Sequence, residues 1–320
     1  MKVVVTSKIP RVGIDALEDA GFEVVGNPTE RLFTPLELKE FVKGAEGILC
    51  LILDKITPEI IKAAGKELKI IANYGVGYDN IDLQTAKEKG ILVTNTPSEL
   101  SGQAVAEYTI ALIFALVKRI VEGDEFARRG NFGGWRPEIF LGENLGDKTL
   151  GLIGLGQIGS KVAALAKGLG WRVVYNKRNR DLEAEKTMGV EYLSLENLLR
   201  ESDIVSLHVP LSKETEHLIN SETLEKMKDK AYLINTSRGR VVDESALAEA
   251  LKSNKLAGAA LDVYEYEPQI NPELCGLPNV ILSPHIASSV RAVRDEMAIM
   301  AAKNIIEALN GRQPANLVSK

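Results

Sequence analysis

The stretch Lys148-Thr-Leu-Gly-Leu-Ile-Gly-Leu-Gly-Gln-Ile-Gly159 decides how this chain is read. A short apolar run, Leu150–Ile153, leads to Gly154, Gly156 and Gly159. Then comes Ser160-Lys-Val-Ala-Ala-Leu-Ala-Lys-Gly168, whose apolar residues recur at helical spacing. The pattern predicts strand, tight turn, helix. The first glycine permits the turn, the second lets backbone approach a pyrophosphate, and the third lets helix and strand pack closely, with the helix N-terminus facing the anion. A glycine triplet alone is a weak signal and a merely flexible loop is the plain alternative. A second strand, Trp171–Tyr175, stands where a dinucleotide-binding βαβ unit requires it.

Upstream, the first hundred residues alternate apolar runs with amphipathic segments. Lys2–Thr6, Phe22–Val25, Gly47–Leu51, Leu68–Ala72 and Ile91–Thr94 read as strands; Gly13–Ala20, Pro35–Lys43, Pro58–Ala64 and Leu83–Lys89 read as helices, with Thr34, Thr57 and Asp82 as N-cap candidates. The alternation predicts a parallel sheet covered on both faces, which binds ligands at the C-terminal ends of its strands. Attention therefore falls on Leu51–Asp54, with Leu51 and Leu53, and on Tyr74-Gly-Val-Gly-Tyr78. The amides of Val76 and Gly77 could meet a small anion there, or the glycines could serve the turn alone.

One long helix is expected from about Ser98 through Arg128. Its body, Val105–Val117, is apolar on more than one stripe and so should be buried nearly all round, between domains, against a second subunit, or within one core. The loop Gly130-Asn-Phe-Gly-Gly-Trp-Arg-Pro137 carries aromatics suited to a subunit contact.

Downstream, strands are expected at Asp203–His208, Ala231–Asn235, Leu256–Asp262 and Val280–Leu282. Helices are expected at Leu195–Arg200, Ser221–Met227, Glu244–Lys252 and about Ser289–Leu309. There is no repeat and no low-complexity linker. Two doubly wound halves follow: a domain of residues 1–99 and 287–320, and a dinucleotide-binding domain of residues 100–286.

Composition narrows the function. The chain has 320 residues, 45% hydrophobic and 5% aromatic, with a net charge of −5. That is an aliphatic-cored globular protein with no electrostatic reason to bind nucleic acid or an anionic membrane. No uninterrupted apolar stretch is expected to span a membrane, and no secretory signal is read at Met1. Two isolated cysteines and three histidines form no metal-spaced cluster, and a reducing cytoplasm is the simplest address.

The end of the second strand bears on the cofactor. An acid there hydrogen-bonds the ribose of NAD, whereas basic groups take the 2′-phosphate of NADP. This chain has Asn176 followed by Lys177, Arg178 and Arg180. NADP(H) is therefore favoured and NAD(H) remains the alternative.

The reactive groups fall on three successive strand ends: Asn235-Thr-Ser-Arg238, Asp262-Val-Tyr-Glu-Tyr-Glu267 and Ser283-Pro-His285. Arg238 can hold a carboxylate, His285 can pass a proton near neutral pH, and Glu267 can stabilise the imidazolium. His208 and His217 read as a strand-end and a surface histidine, and Glu265 as a solvated carboxylate.

With Asn73-Tyr-Gly-Val-Gly-Tyr-Asp-Asn-Ile-Asp82, Thr94-Asn-Thr-Pro97, Val105-Ala-Glu107, the glycine turn, His208-Val-Pro210, Asn235-Thr-Ser-Arg-Gly239, Asp262–Pro268 and Pro284-His-Ile-Ala287, the chain resembles the D-isomer-specific 2-hydroxyacid dehydrogenases. Within them it is most similar to the glyoxylate/hydroxypyruvate reductase branch. The resemblance implies a flavodoxin-like substrate domain and a Rossmann cofactor domain with an active-site cleft between them. It implies a homodimer joined through the helix near 98–128. It makes Arg238, with Val76 and Gly77, the carboxylate holder, His285 the proton donor and Glu267 its partner. Cofactor contacts carried over are Val105, Gly154, Gly156, Gln157, Ile158, Gly159, Asn176, Lys177, Arg178, Val209, Pro210, Thr215, Thr236, Ser237, Arg238, Asp262, His285 and Ala287. The rivals are a D-lactate or 3-phosphoglycerate dehydrogenase and a non-catalytic, nucleotide-sensing corepressor-like protein.

Overall fold

The computed structural model describes residues 1–29 and 31–318. The chain divides into two compact units, Met1–Ser101 with Ser289–Lys320, and Gly102–Ser288.

In the first unit β1 (Lys2–Val5), β2 (Glu23–Gly26), β3 (Gly47–Leu51), β4 (Ile70–Tyr74) and β5 (Leu92–Thr94) form a parallel sheet. The order is β2-β1-β3-β4-β5, the doubly wound flavodoxin-like arrangement. Between the strands run α1 (Arg11–Asp19), α2 (Pro35–Phe41), α3 (Pro58–Ala64) and α4 (Leu83–Glu88). Thr34 and Asp82 cap their helices by accepting from Glu37 and Thr85 N–H, whereas Thr57 makes no side-chain cap bond. The central strands are buried on both faces, so Ile48, Cys50, Ile71 and Val93 join one core cluster. Chain from the far C-terminus covers the sheet too: the helix Arg291–Leu309 packs against α1, β3 and β4. Gly13 allows that approach, since a Cβ there would lie 2.8 Å from Ala298 O.

The expected single helix over 98–128 is two, α5 (Glu99–Val117) and α6 (Ile120–Arg128). Arg119 breaks it with a left-handed backbone, φ 56°, and no periodicity reveals such a residue. The new α5 enters the second unit's core through Ala106, Leu112, Ile113 and Leu116, while Glu107 and Ala111 are exposed in the single chain. By length and composition alone α5 is long and apolar enough to cross a membrane, although Glu107 interrupts its apolar run as the sequence reading expected; 56% of its most apolar window is buried inside the protein.

The second unit has seven parallel strands: β6 (Thr149–Ile153), β7 (Arg172–Asn176), β8 (Glu191–Tyr192), β9 (Ile204–Leu207), β10 (Ala231–Asn235), β11 (Leu256–Leu261) and β12 (Val280–Leu282). Their order, β12-β11-β10-β9-β6-β7-β8, reverses direction at β6, as in Rossmann sheets. The helices are α7 (Gln157–Gly168), α8 (Leu182–Met188), α9 (Leu195–Glu201), α10 (Ser221–Lys226), α11 (Glu244–Lys252) and α12 (Pro272–Cys275), with the terminal Arg291–Leu309 helix as α13. The sequence reading lacked α8, β8 and α12. No residue of α8 is buried, and β8 is a two-residue edge, so neither carries an apolar period.

Candidate active site

Each of the three chemistry-bearing loops leaves the carboxyl end of a strand, and the three strands are neighbours. β10 leads to Thr236-Ser237-Arg238, β11 to Asp262–Glu267 and β12 to Ser283–His285. Further along the same edge, β9 leads to Val209 and Pro210, β6 to the glycine turn, and β7 ends at Asn176. The row from β12 to β7 crosses neighbouring strands at a spacing of about 4.8 Å, roughly 24 Å in all. The sheet thus sets reactive groups at one end of a groove-length array and the ribose-end residues at the other.

His285 Nδ1 stands 2.9 Å from Glu267 Oε2. Glu267 Oε1 accepts from the Tyr264 N–H at 3.0 Å, and the Tyr264 hydroxyl donates to Ser283 O at 2.8 Å. Burial, followed by the charge of Asp262, pushes the Tyr264 phenol up, so it remains a donor. Asp262 is fully buried: Oδ1 accepts from Ser283 Oγ at 2.6 Å and Ile286 N–H at 2.9 Å, and Oδ2 from Ala287 N–H at 2.8 Å. These bonds all go to the histidine turn. They hold His285 at φ 55°, a left-handed conformation that a side chain-bearing residue keeps only when its surroundings fix it. With Nδ1 committed to a carboxylate, Nε2 carries no hydrogen bond among the described residues and is the ring atom left to exchange a proton.

Arg238 stands on a turn built by the buried Asn235. Its Oδ1 accepts from Ser237 N–H at 3.0 Å and Ser237 Oγ at 2.9 Å, and its Nδ2 donates to Arg238 O at 2.9 Å. Thr236 Oγ1 lies 3.0 Å from Thr109 Oγ1, which donates to Val105 O at 2.8 Å. Thr215 is held locally, donating to Pro210 O at 2.7 Å.

The glycine turn fits a dinucleotide. Gly154 has φ 101°, and a Cβ on Gly159 would lie 2.2 Å from Gly154 O, so packing demands both. Gly156 has nothing within 4 Å of its Cβ position, leaving open space before the first turn of α7, where Gln157 is exposed and Ile158 partly so. At the far end, Asn176 Nδ2 donates to Leu193 O at 2.9 Å, and Lys177 pairs with Asp181 at 2.9 Å. Arg180 pairs with Glu185 at 2.7 Å. Arg178 is exposed and makes no hydrogen bond or ion pair among the described residues.

Glu265 is not a solvated carboxylate. Its side chain is 9% exposed and lies 2.8 Å from Nε2 of His217, which is a surface histidine, its side chain 42% exposed, but a paired one. His208 does sit at a strand end, 2.9 Å from Ser206 Oγ, and burial depresses its imidazole to about 4.

In the first unit, the loop after β4 has its carbonyls tied. Gly75 O accepts from Thr96 N–H at 3.0 Å, Val76 O from Asn95 Nδ2 at 2.7 Å, and Gly77 O from Asn73 Nδ2 at 2.6 Å. A trans peptide points its N–H opposite the preceding carbonyl. The N–H groups of Val76 and Gly77 are therefore turned away from Thr96 and Asn95 as a pair of donors. Gly75 has no room for a side chain, a Cβ there lying 2.2 Å from Ile52 Cγ2. Leu51 and Leu53 are part-exposed on a loop closed by the buried Asp54, which accepts from Leu51 N–H at 2.8 Å and from Thr6 Oγ1. Sequence reasoning missed Asn73, Asn95, Asn235 and Asp262's grip on the turn. Their only signal was an Asn or Asp within a residue or two of a strand end.

The profile described as "D-isomer specific 2-hydroxyacid dehydrogenase, NAD binding domain" matches residues 110–287. The chain is 47% identical to a glyoxylate reductase of Thermococcus litoralis, over all of its own length and 97% of that protein. Among solved structures, the TT0316 protein of Thermus thermophilus is 44% identical with a TM-score of 0.91, covering 99% of this chain and 100% of the other. An NADPH-dependent glyoxylate/hydroxypyruvate reductase of Sinorhizobium meliloti, solved with NADP and malonate, is 30% identical with a TM-score of 0.85, covering 99% and 96%. A similarity that runs the whole length, through both sheets and all three reactive loops, leaves one conclusion: the chain belongs to the D-isomer-specific 2-hydroxyacid dehydrogenases.

Proposed function

We propose that this dehydrogenase reduces glyoxylate to glycolate, with hydroxypyruvate as a second substrate and NADPH preferred over NADH. The observation that carries the reading is the His285–Glu267 pair, with Nδ1 and Oε2 2.9 Å apart and Nε2 left to give a proton. A bound reduced nicotinamide supplies the hydride that reduces C2 of the 2-oxo acid. His285 Nε2 gives a proton to the carbonyl oxygen, and Glu267 stabilises the imidazolium until then. Arg238 holds the carboxylate by a two-pronged hydrogen bond, and the amides of Val76 and Gly77 donate to it. Leu51 and Leu53 flank a short, uncharged substrate tail.

The dinucleotide's pyrophosphate is assigned to Gly154–Gly159, where Gly156 leaves the open space, with Val105, Val209, Pro210, Thr215, Thr236, Ser237, Asp262 and Ala287 along the row. The NADPH preference rests on Asn176, which brings no negative charge, and on Arg178, the cation of its turn whose guanidinium is uncommitted. The relatives' names agree with the substrate: glyoxylate reductase for the Thermococcus protein and an NADPH-dependent enzyme for that of Sinorhizobium.

The active form proposed is a homodimer in the cytoplasm. Trp135 and Phe132 are 84% and 68% exposed, and Ile120 and Val121 are exposed on α6, apolar surface suited to a second copy. Sedimentation at micromolar concentration should give twice the chain mass, and a monomer would refute that part.

The deciding experiment is a panel of glyoxylate, hydroxypyruvate, pyruvate and phosphohydroxypyruvate with each reduced cofactor, following absorbance loss. Glyoxylate with NADPH should give the highest kcat/KM, and absent turnover of it would end the reading. His285→Ala should cost orders of magnitude in kcat while nucleotide binding persists.

A further inference from the structure

Two loops of the site meet with no side chain between them. A Cβ on Gly239, next to Arg238, would stand 1.8 Å from the carbonyl carbon of Tyr264 and 2.4 Å from Glu265 N. The turn bearing Arg238 thus lies directly on the loop bearing Glu267. A third segment, which follows Val209-Pro210, joins both through His217. Its backbone N–H donates to Arg240 O at 2.8 Å, and its ring Nε2 meets Glu265 Oε1 at 2.8 Å. Behind this contact Glu244 Oε1 accepts from Glu265 N–H at 2.9 Å, and Glu265 Oε2 accepts from Glu244 N–H at 3.3 Å. Each carboxylate satisfies the other's amide at the start of α11.

We infer that His217 is a positioning residue for the reaction, holding Glu265 so that the loop Asp262–Pro268 keeps Glu267 and the His285 ring in register with Arg238. The inference rests on the roles proposed above for those three residues. Its physical basis is repulsion. Glu244, Glu265 and Glu267 gather three largely buried carboxylates behind the loop, and burial first, then the charges of Glu265 and Glu267, pushes the Glu244 carboxyl up. The imidazole donates to the middle member of the three. Without it, Glu265 relieves the repulsion by turning to solvent, and Glu267 follows two residues on. His217 also keeps φ 49°, a strained conformation for a non-glycine residue, which shows that its place is imposed by the contacts around it. Arg240 does not replace it, because its guanidinium is paired with Glu216.

Two substitutions separate the contact from the backbone. His217→Asn tolerates the left-handed backbone but is too short to reach Glu265, whereas His217→Gln restores an N–H donor at about the reach of Nε2. Both are made in the full chain, with thermal unfolding as the check on fold. His217→Asn should lower kcat about tenfold with glyoxylate and NADPH, leave KM for the cofactor within about twofold, and be largely rescued in His217→Gln. The second readout needs no substrate. The chain has three histidines, so the His285 ring signals can be identified by substitution. They should be single and sharp in the parent and in His217→Gln, and broadened or doubled in His217→Asn. Unchanged His285 signals in His217→Asn overturn the inference whatever kcat does. If the parent enzyme fails to reduce glyoxylate, the proposed substrate falls, and the ring signals still decide the role of His217.

Discussion

Gly239→Ala adds one methyl group where two loops of the site press together. The new carbon would lie 1.8 Å from Tyr264 C and 1.9 Å from Tyr264 O. Ordinary contact begins near 3.4 Å, so the Tyr264–Glu265 peptide must retreat by about 1.6 Å. Both neighbours are backbone atoms, so no side chain can swing aside. The backbone at 239 is not left-handed, so the alanine meets no conformational penalty, and the effect is one of volume alone. Because the Tyr264 N–H orients Glu267 and Glu267 orients His285, a retreat of that size displaces the His285 ring, the proposed proton donor, relative to Arg238. A misplacement of about 1 Å costs on the order of a hundredfold in rate. Overpacking of this kind destabilises by about 1–3 kcal/mol. Steady-state kinetics with glyoxylate and NADPH, together with urea unfolding, test both numbers. A folded Gly239→Ala enzyme whose kcat stays within about threefold of the parent would refute the reasoning. Gly156→Ala is the control, since its Cβ meets nothing within 4 Å: it should fold normally and raise KM for the cofactor.

Asn95→Ala releases the Val76 carbonyl that sets the direction of the Gly77 N–H; loss of that bond, about 1 kcal/mol, should raise KM for glyoxylate roughly fivefold with kcat little changed. An unchanged KM would show that the loop needs no such tie. Asn176→Asp should move the NADH/NADPH ratio toward NADH and, because the amide now donates to Leu193 O, cost about 1 kcal/mol in denaturant stability. If the ratio does not move, the basic turn does not select the cofactor. His208, depressed to about 4, takes up a proton more readily unfolded, where its value is about 6.5. Native stability is therefore intact above about pH 6.5 and is lost as pH falls toward 4, by about 2–3 kcal/mol. Urea midpoints across that window should fall less steeply in His208→Gln, and parallel curves would contradict the assignment.

The glycine turn, the strand alternation and the ends of β10, β11 and β12 could be read directly because each depends on a local pattern: an apolar run, a turn residue, a reactive side chain at a strand end. What could not be read depends on partners distant in sequence. Glu265 looked like any exposed acid, since its burial comes from Glu244, 21 residues away, and His217, 48 residues away. Asp54 sits just past the end of an apolar run, and its hydrogen bond from Thr6, 48 residues away, appears only once β1 and β3 are side by side. Arg119 has no sequence mark at all, because arginine is an ordinary helix residue; its left-handed backbone stands where the distant segment around Phe140 and Glu143 packs back on the helix end.

The return of α13 to β3 and β4 has a bearing on synthesis. As the chain leaves the ribosome, the first hundred residues emerge with one sheet face covered by α1 alone, and the helix that completes the cover arrives some two hundred residues later. At about 5–20 residues per second, that face waits on the order of ten to forty seconds. The contiguous Gly102–Ser288 unit can fold meanwhile, so the N-terminal unit is the one exposed to chaperones and proteases in the nascent protein.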